Sequence, residues 1–199
     1  RFLYLSEQLR IHEELAVLGD NPDTSPDVET PIAIDLRDDF FTRNEFHGGE
    51  LGLVWEHCRE RWSFEFLAKV ALGSNRQWVN IQGQTQFATP GTAPDPDPLP
   101  GGLLAQPSNI GVYERSDFSA IPEFGATFFY HMNDCMRLSV GYTFIYWGNV
   151  VRPGEQIDRR VNPDFLVGDY DSNPQLPEFN FHTTDFWIQG LSLGFDYTF

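Results

Sequence analysis

Apolar and polar residues alternate one by one along most of this chain. The clearest stretch is 185–199 (DFWIQGLSLGFDYTF), where Trp187, Leu191, Leu193, Phe195, Tyr197 and Phe199 take odd positions and Gly190, Ser192, Gly194, Asp196 and Thr198 take even ones. A period of two puts successive side chains on opposite faces of a β-strand. The same alternation sets Trp62, Phe64, Phe66, Ala68, Val70 and Leu72 against Ser63, Glu65, Lys69 and Gly73. It recurs with Leu138, Val140, Tyr142, Phe144 and Tyr146 against Arg137, Ser139, Gly141 and Thr143. Turn-forming residues interrupt the pattern at Asn44-Glu45, at Gly73 to Arg76 and at Asn133-Asp134. Eight strands are predicted, near 2–17, 32–43, 46–57, 62–73, 77–87, 118–132, 136–147 and 185–199. In the first of them Leu3, Leu5, Leu9 and Ile11 share a face with Glu7, an acid out of place on a lipid-facing surface, and its helix formers also allow a helix.

The connections carry a second pattern. Counted back from the C-terminus they are 148–183, 133–135, 88–117, 73–76, 58–61, 44–45 and 18–31. Transmembrane β-barrels have short turns on the periplasmic side and longer loops outside. With the C-terminus on the periplasmic side, every connection placed there is short, and three of the four placed outside are long. The last strand also resembles the C-terminal signal that outer-membrane barrels present to their assembly machinery, with Ser192, Gly194, Tyr197 and a terminal Phe199. The expectation is an all-β, antiparallel, up-and-down transmembrane β-barrel in an outer membrane. A soluble secreted β-sandwich that binds a surface ligand or cations through acidic loops is the alternative, and an exposed apolar belt about 25 Å tall separates the two.

Composition narrows the function classes. The formal charge is −16, from 29 acids and 13 bases, and Lys69 is the one lysine. Nucleic-acid binding is not expected, because the phosphate-neutralising footprint is missing. No run approaches the roughly 18 apolar residues of a membrane-spanning helix. The chain opens inside a strand-like pattern, with no initiator Met and no signal segment at Arg1, and is read as part of a longer precursor. Cys58 and Cys135 fall at opposite ends of the eight-strand barrel, so both are expected to be free thiols.

Candidate functional residues follow from the polar faces. Asp35, Arg37, Asp39, Glu50, Glu56, Glu65, Lys69, Arg137 and Asp196 would line a mixed-charge lumen if all polar faces converge. In the last long connection Arg152, Asp158, Arg159 and Arg160, with Pro153 and Gly154, suggest a loop that folds against the barrel mouth and restricts it, with an Arg152 to Asp158 contact as its mark. Gly190 to Gly194 spell G-x-S-x-G, the nucleophile elbow of hydrolases. Here the motif lies inside a strand with no room for the helix that must follow, so no catalysis is expected. Asp169, Asp171 and Asn173 begin a calcium-loop pattern that Ser172, Pro174 and Gln175 do not complete. The histidines show no ligand spacing, and His57 beside Cys58 is a weak metal signal. No metal or cofactor is expected.

Several stretches also resemble beta-barrel porin family 7, known mainly from planctomycetes. They are Phe41-Thr42-Arg43-Asn44 with Gly48-Gly49, 68–73 (AKVALG), 101–106 (GGLLAQ), 108–111 (SNIG), Ile121-Pro122-Glu123, 142–158 (YTFIYWGNVVRPGEQID) and 185–190 (DFWIQG). The resemblance spans nearly the whole chain. It implies that these strands are the C-terminal part of a larger barrel and that the protein is a porin-like passive channel or a structural membrane protein. The partners it implies are membrane lipid, the assembly machinery and small solutes, and it carries over no ligand or catalytic residue.

Overall fold

A computed structural model describes residues 1–20, 29–88, 97–167 and 171–198. The strands are β1 (Phe2–Asp20), β2 (Glu29–Arg59), β3 (Trp62–Ala88), β4 (Leu99–Pro100), β5 (Gly111–Asn133), β6 (Met136–Val150) and β7 (Thr184–Tyr197). They form one antiparallel seven-stranded sheet in the order β1-β2-β3-β5-β6-β7, with the two-residue β4 added to β3. The sheet curls into a half-barrel. It is a single layer rather than two packed sheets, which removes the β-sandwich.

The eight predicted strands are therefore six long ones, and the predicted connection 88–117 is shorter than expected, since it contains the short β4 and β5 already begins at Gly111. Asn44-Glu45 and Gly73 to Arg76 are not turns: β2 and β3 run straight through them, and the two stretches pair with each other, Asn44 opposite Gln77 and Gly48 opposite Gly73. A Cβ on Gly73 would lie 2.1 Å from the His47 carbonyl oxygen and 2.5 Å from the Gly48 Cα, so glycine here permits close backbone approach rather than a reversal. The first segment is strand throughout, not helix.

What looked like turns are places where the faces exchange character. The register is unbroken along β2, so residues of one parity share one face from end to end. In its C-terminal half the odd residues Leu51, Leu53 and Trp55 are exposed and the even ones include Glu50 and Glu56. In its N-terminal half the even residues Leu36, Phe40 and Phe46 are buried inside the curl, and the odd ones are Asp35, Arg37, Asp39, Arg43 and Glu45. β3 inverts likewise, from outward Trp62, Phe66, Val70 and Leu72 to inward Val79 and Ile81.

Apolar side chains cover the outer face of the lower half as a band. Trp62, Phe66, Leu138, Val140, Tyr142, Leu191, Leu193 and Phe195 are exposed there, with Phe64 and Phe144 half-exposed between them. Trp62 to Leu72 is ten residue steps, about 33 Å of strand, or about 25 Å of height at the usual barrel tilt. No helix among the described residues is long and apolar enough to cross a membrane, a test that does not bear on strands.

The merged strands leave a cleaner alternation of connections. Two-residue turns at 60–61 and 134–135 close one end of the sheet, and the strand ends at Asp20, Glu29, Ala88, Gly111, Val150 and Thr184 lie at the other. This corrects the position of Cys58, which sits at the short-turn end with Cys135. Both are free and exposed. Their separation is lateral instead, since Cys58 pairs across to β3 and β3 to β5 before the turn that holds Cys135. Two strand spacings are about 10 Å, more than a disulfide spans.

Candidate functional site

The inner wall of the curl has three levels. The lowest faces the interior behind the apolar band, and here the strand parity places Glu50, Glu56, Glu65, Lys69, Arg137 and Asp196 together. Glu50 lies 3.5 Å from Lys69 Nζ and accepts from Arg1 Nη1 at 2.7 Å. Arg1 also bridges to Glu123 of β5 at 2.5 Å. Nearer the short turns Arg137 and Asp196 are direct cross-strand partners and bond at 2.9 Å, with the Arg137 guanidinium 4.7 Å from the Phe129 ring. Glu56 and Glu65 also face each other across β2 and β3, two acids side by side. They line a cavity of about 370 Å³ with Arg137 and His131.

Asp35, Arg37 and Asp39 do not join this wall. Their parity places them on the outer face above the apolar band, because β2 does not turn at Asn44. There Arg37 donates to both oxygens of Asp35 at 3.0 and 3.2 Å, and Arg10 and Gln8 donate to Asp39. The Arg37 guanidinium, aided by His12, lowers the Asp35 pKa below its ordinary value.

The middle level is a ring of amides and a hydroxyl. Asn44, Asn75, Gln77 and Ser119 point inward from three adjacent strands and take hold of the chain where it leaves β6. Asn44 pairs with Val151 as another strand would, donating to its carbonyl at 2.8 Å and accepting from its N–H at 2.9 Å. Asn75 and Gln77 both donate to the Asn149 carbonyl, and Ser119 donates to that of Gly148. Asn149 adopts φ 57°, a left-handed conformation that asparagine tolerates better than most residues and that turns the chain inward.

Above the ring, two connections lie on the inner wall. Phe40, Val79, Ile81, Ala105 and Val151 form a fully buried cluster, with Leu9, Ile157, Phe179 and Phe181 packed against it. Asp38 points inward and accepts from the N–H groups of Leu104 and Ala105 at 3.0 and 2.8 Å. Thr85 donates to the Gly101 carbonyl at 2.6 Å. Gln106 and Asn162 join the two connections, the Gln106 amide meeting both the carbonyl and the N–H of Asn162 at 3.2 Å.

The predicted mouth-loop residues lie in this region, with different partners from those expected. Arg152 binds Glu7 of β1 through two bonds of 2.7 and 2.9 Å, rather than Asp158. This explains the acid on the apolar face of the first strand: that face is the inner one, and Glu7 anchors the connection. Asp158 accepts from Arg160 at 2.7 Å and from the Glu178 N–H at 3.0 Å, and the guanidinium holds its carboxyl far below the usual range. Arg159 is exposed.

The other sequence signals resolve as follows. G-x-S-x-G lies within β7, fully extended, so Ser192 is on no elbow. His57 and Cys58 point to opposite faces, and His57 stacks on Trp55. Phe199 and Asp169 lie outside the described residues. Asn44, Asn75, Gln77, Glu7 and Glu123 were missed; their signal was an inward parity that appears only once the strands are joined. Also missed was the cross-strand group His12, Glu14 and Asp35, whose donor atoms lie within 4.8 Å of one another on the outer wall. Asp35 is already engaged there by Arg37, so the group reads as an ion-pair network.

Comparison with curated proteins and with solved structures returned no match. A family model does match, from residue 1 to residue 199, the family described as Putative beta barrel porin-7 (BBP7). The antiparallel half-barrel fits the barrel that description names, and the chain belongs to this family.

Proposed function

We propose that this protein is a passive channel of an outer membrane, its bore restricted by the connections 97–110 and 151–183, and that it performs no catalysis. The observation that carries this reading is the exchange of polarity along single strands. Where the outer face is apolar the inner wall carries the inward charges, interrupted by an apolar patch of Ala71, Ile121 and Ile145, and a water-filled bore through lipid requires such a polar lining. Where the outer face is polar the inner wall is covered by the two connections. The short turns at 60–61 and 134–135 would face the periplasm and the longer connections the outside.

Among the described residues, residues 49–59 of β2 and 184–197 of β7 each pair on one side only, at the level of the apolar band. Lipid cannot satisfy a strand edge, so in the membrane these edges are paired and the closed barrel contains further strands. The outward Leu191, Leu193, Phe195 and Tyr197 beside the β7 edge suit recognition by the outer-membrane assembly machinery during that closure.

The wall below the ring carries Glu50, Glu56, Glu65, Glu123 and Asp196 against Arg1, Lys69 and Arg137. That excess of acid favours cations over anions. The experiment is conductance of the intact protein in a planar bilayer under a salt gradient. Discrete openings with a reversal potential of cation-preferring sign are expected. A silent bilayer containing inserted protein would overturn the channel.

A further inference from the structure

On the outer wall above the apolar band, β1, β2 and β3 present a shelf that the channel does not use. Phe41 and Trp78 meet edge to face with centroids 5.3 Å apart, both half-exposed. Gln8, Arg10, Asp39, Asn80 and Gln82 stand around them, and together they line a cavity of about 330 Å³, with the Arg43 guanidinium over the Trp78 ring, 5.1 Å from its centroid. Asp39 is oriented by Gln8 at 2.8 and 2.9 Å. Among the described residues the amides of Asn80 and Gln82 make no hydrogen bond.

We infer that this shelf binds the glycan of a glycolipid anchored in the outer leaflet beside the barrel, an inference that rests on the membrane reading above. A sugar ring offers an apolar C–H face that stacks on an aromatic ring, and hydroxyls that both donate and accept. Planar amides and carboxylates meet those hydroxyls in pairs. An anionic headgroup fits less well, because the arginines nearby are already neutralised: Arg10 by Asp39, Arg43 by Glu45 and Arg76 by Glu114.

Depth separates a glycan from a phospholipid headgroup. Trp78 lies six residues beyond Leu72, the last outward apolar residue of the band on β3, which is about 20 Å of strand and about 15 Å of height at barrel tilt. The headgroup layer is only about 5–8 Å thick on each side. Phe2, Tyr4 and Phe118, which are exposed at the rim of the band, suit that layer, whereas Trp78 stands above it among the sugars.

The test reconstitutes the intact protein in phospholipid vesicles and measures its retention of lipopolysaccharide bearing a core oligosaccharide, of lipid A without the core, and of phosphatidylglycerol. Core-bearing lipopolysaccharide should be held about 10-fold more tightly than lipid A, a difference set by contacts beyond the headgroup layer. Trp78→Ala and the double variant Asn80→Ala/Gln82→Ala should each reduce that preference severalfold, and the second keeps the test valid if loss of Trp78 disturbs folding. Equal retention of the two glycolipids, or a preference unchanged in the double variant, overturns the assignment. Free core oligosaccharide that competes as strongly as the glycolipid moves the shelf to soluble sugars and overturns the anchored occupant. Protease protection of the strands separates the two readings: protected protein without preference refutes the glycan site alone, and unprotected protein refutes the membrane reading as well.

Discussion

The lower and upper halves of this half-barrel are built from the same strands with opposite polarity. Below the ring of Asn44, Asn75, Gln77 and Ser119, apolar side chains cover the outer face and the inward residues are charges together with the apolar Ala71, Ile121 and Ile145; above it, Leu36, Phe40, Val79 and Ile81 point in and Asp35, Arg37 and Gln82 point out. The difference shows that a β-strand carries two solvent environments in sequence without any break in its backbone. The period of two is kept and only its phase against the apolar residues changes. In the lower half the surroundings of the sheet must supply the apolar phase. In the upper half the protein supplies it, with its own connections.

The most damaging way to break that contrast is to remove the inner apolar phase of the upper half. Phe40 is fully buried at the centre of the cluster that seats Ala105 and Val151. Phe40→Ala should cost about 3–5 kcal/mol, from lost burial and the cavity left behind. Denaturant unfolding of the protein in detergent micelles measures this. Because the lower band does not depend on Phe40, membrane association of the refolded protein should survive, and its loss would mean that the halves fold as one unit.

A charge tests the opposite face of each half. Leu191 is 73% exposed, between Trp187 and Tyr197 on β7. Leu191→Arg should destabilise the vesicle-inserted protein by about 2–4 kcal/mol, as for a charge near the bilayer midplane on a lipid-facing wall. Gln82→Arg, outward in the upper half, should stay within about 0.5 kcal/mol. Equal effects at the two sites would show that the halves share one environment.

How much of this was readable in advance depended on the phase change. Strand 185–199 and the pair 118–132 and 136–147 were legible because most of their exposed apolar residues share one face, although Ile121, Ile145, Trp147 and Phe186 point inward. Of the connections, the turn at 133–135 was legible, but 44–45 and 73–76 are not turns and 58–61 closes the same end as 134–135. β2 was not legible. When its apolar residues shift from even Phe40 to odd Leu51 across Asn44-Glu45, a strand that changes solvent reads like two strands joined by a turn. Gly73 to Arg76 misled in the same way, since residues that suit turns also suit close backbone approach and capture of a passing chain. The placement of Asp35, Arg37 and Asp39 in the lumen followed from that one error, whereas Glu50, Glu56, Glu65, Lys69, Arg137 and Asp196 lie in the lower half, where polar does mean inward. The partners of the mouth loop were beyond reach, because 145 residues separate Arg152 from Glu7.

The ring between the halves can be opened without touching either. Asn44→Leu keeps the volume inside the curl but leaves the Val151 N–H and carbonyl without partners. An unsatisfied buried group costs about 1–3 kcal/mol, so the cheaper response is for the chain at 148–151 to move off the wall. Stability should fall by no more than that amount, while single-channel conductance rises or grows noisy as the connection loosens. Unchanged conductance in an inserted, folded variant would mean that this connection does not limit the bore.

The smallest effect concerns pH in the upper half. Asp158 has its pKa depressed, first by the Arg160 guanidinium and further by the N–H groups of Glu178 and Arg160. A carboxyl depressed on folding stabilises the folded form above its unfolded value, about 3.9. That contribution is lost only as pH falls through the lower, folded value. The bond from the Glu178 N–H should therefore persist down through the ordinary carboxylate range. Between about pH 7 and pH 4.5, hydrogen exchange at Glu178, corrected for intrinsic rate, should stay level, since both unfolded and folded Asp158 remain charged there. In Asp158→Asn the guanidinium contact is lost and protection at Glu178 should drop at every pH in that window. Below about pH 3.9 protection in the unaltered protein should decline, because the opened state takes up a proton that folded Asp158 does not. Protection that stays level there would show that Asp158 is not held by Arg160 and that the upper connection is fastened by its buried contacts alone.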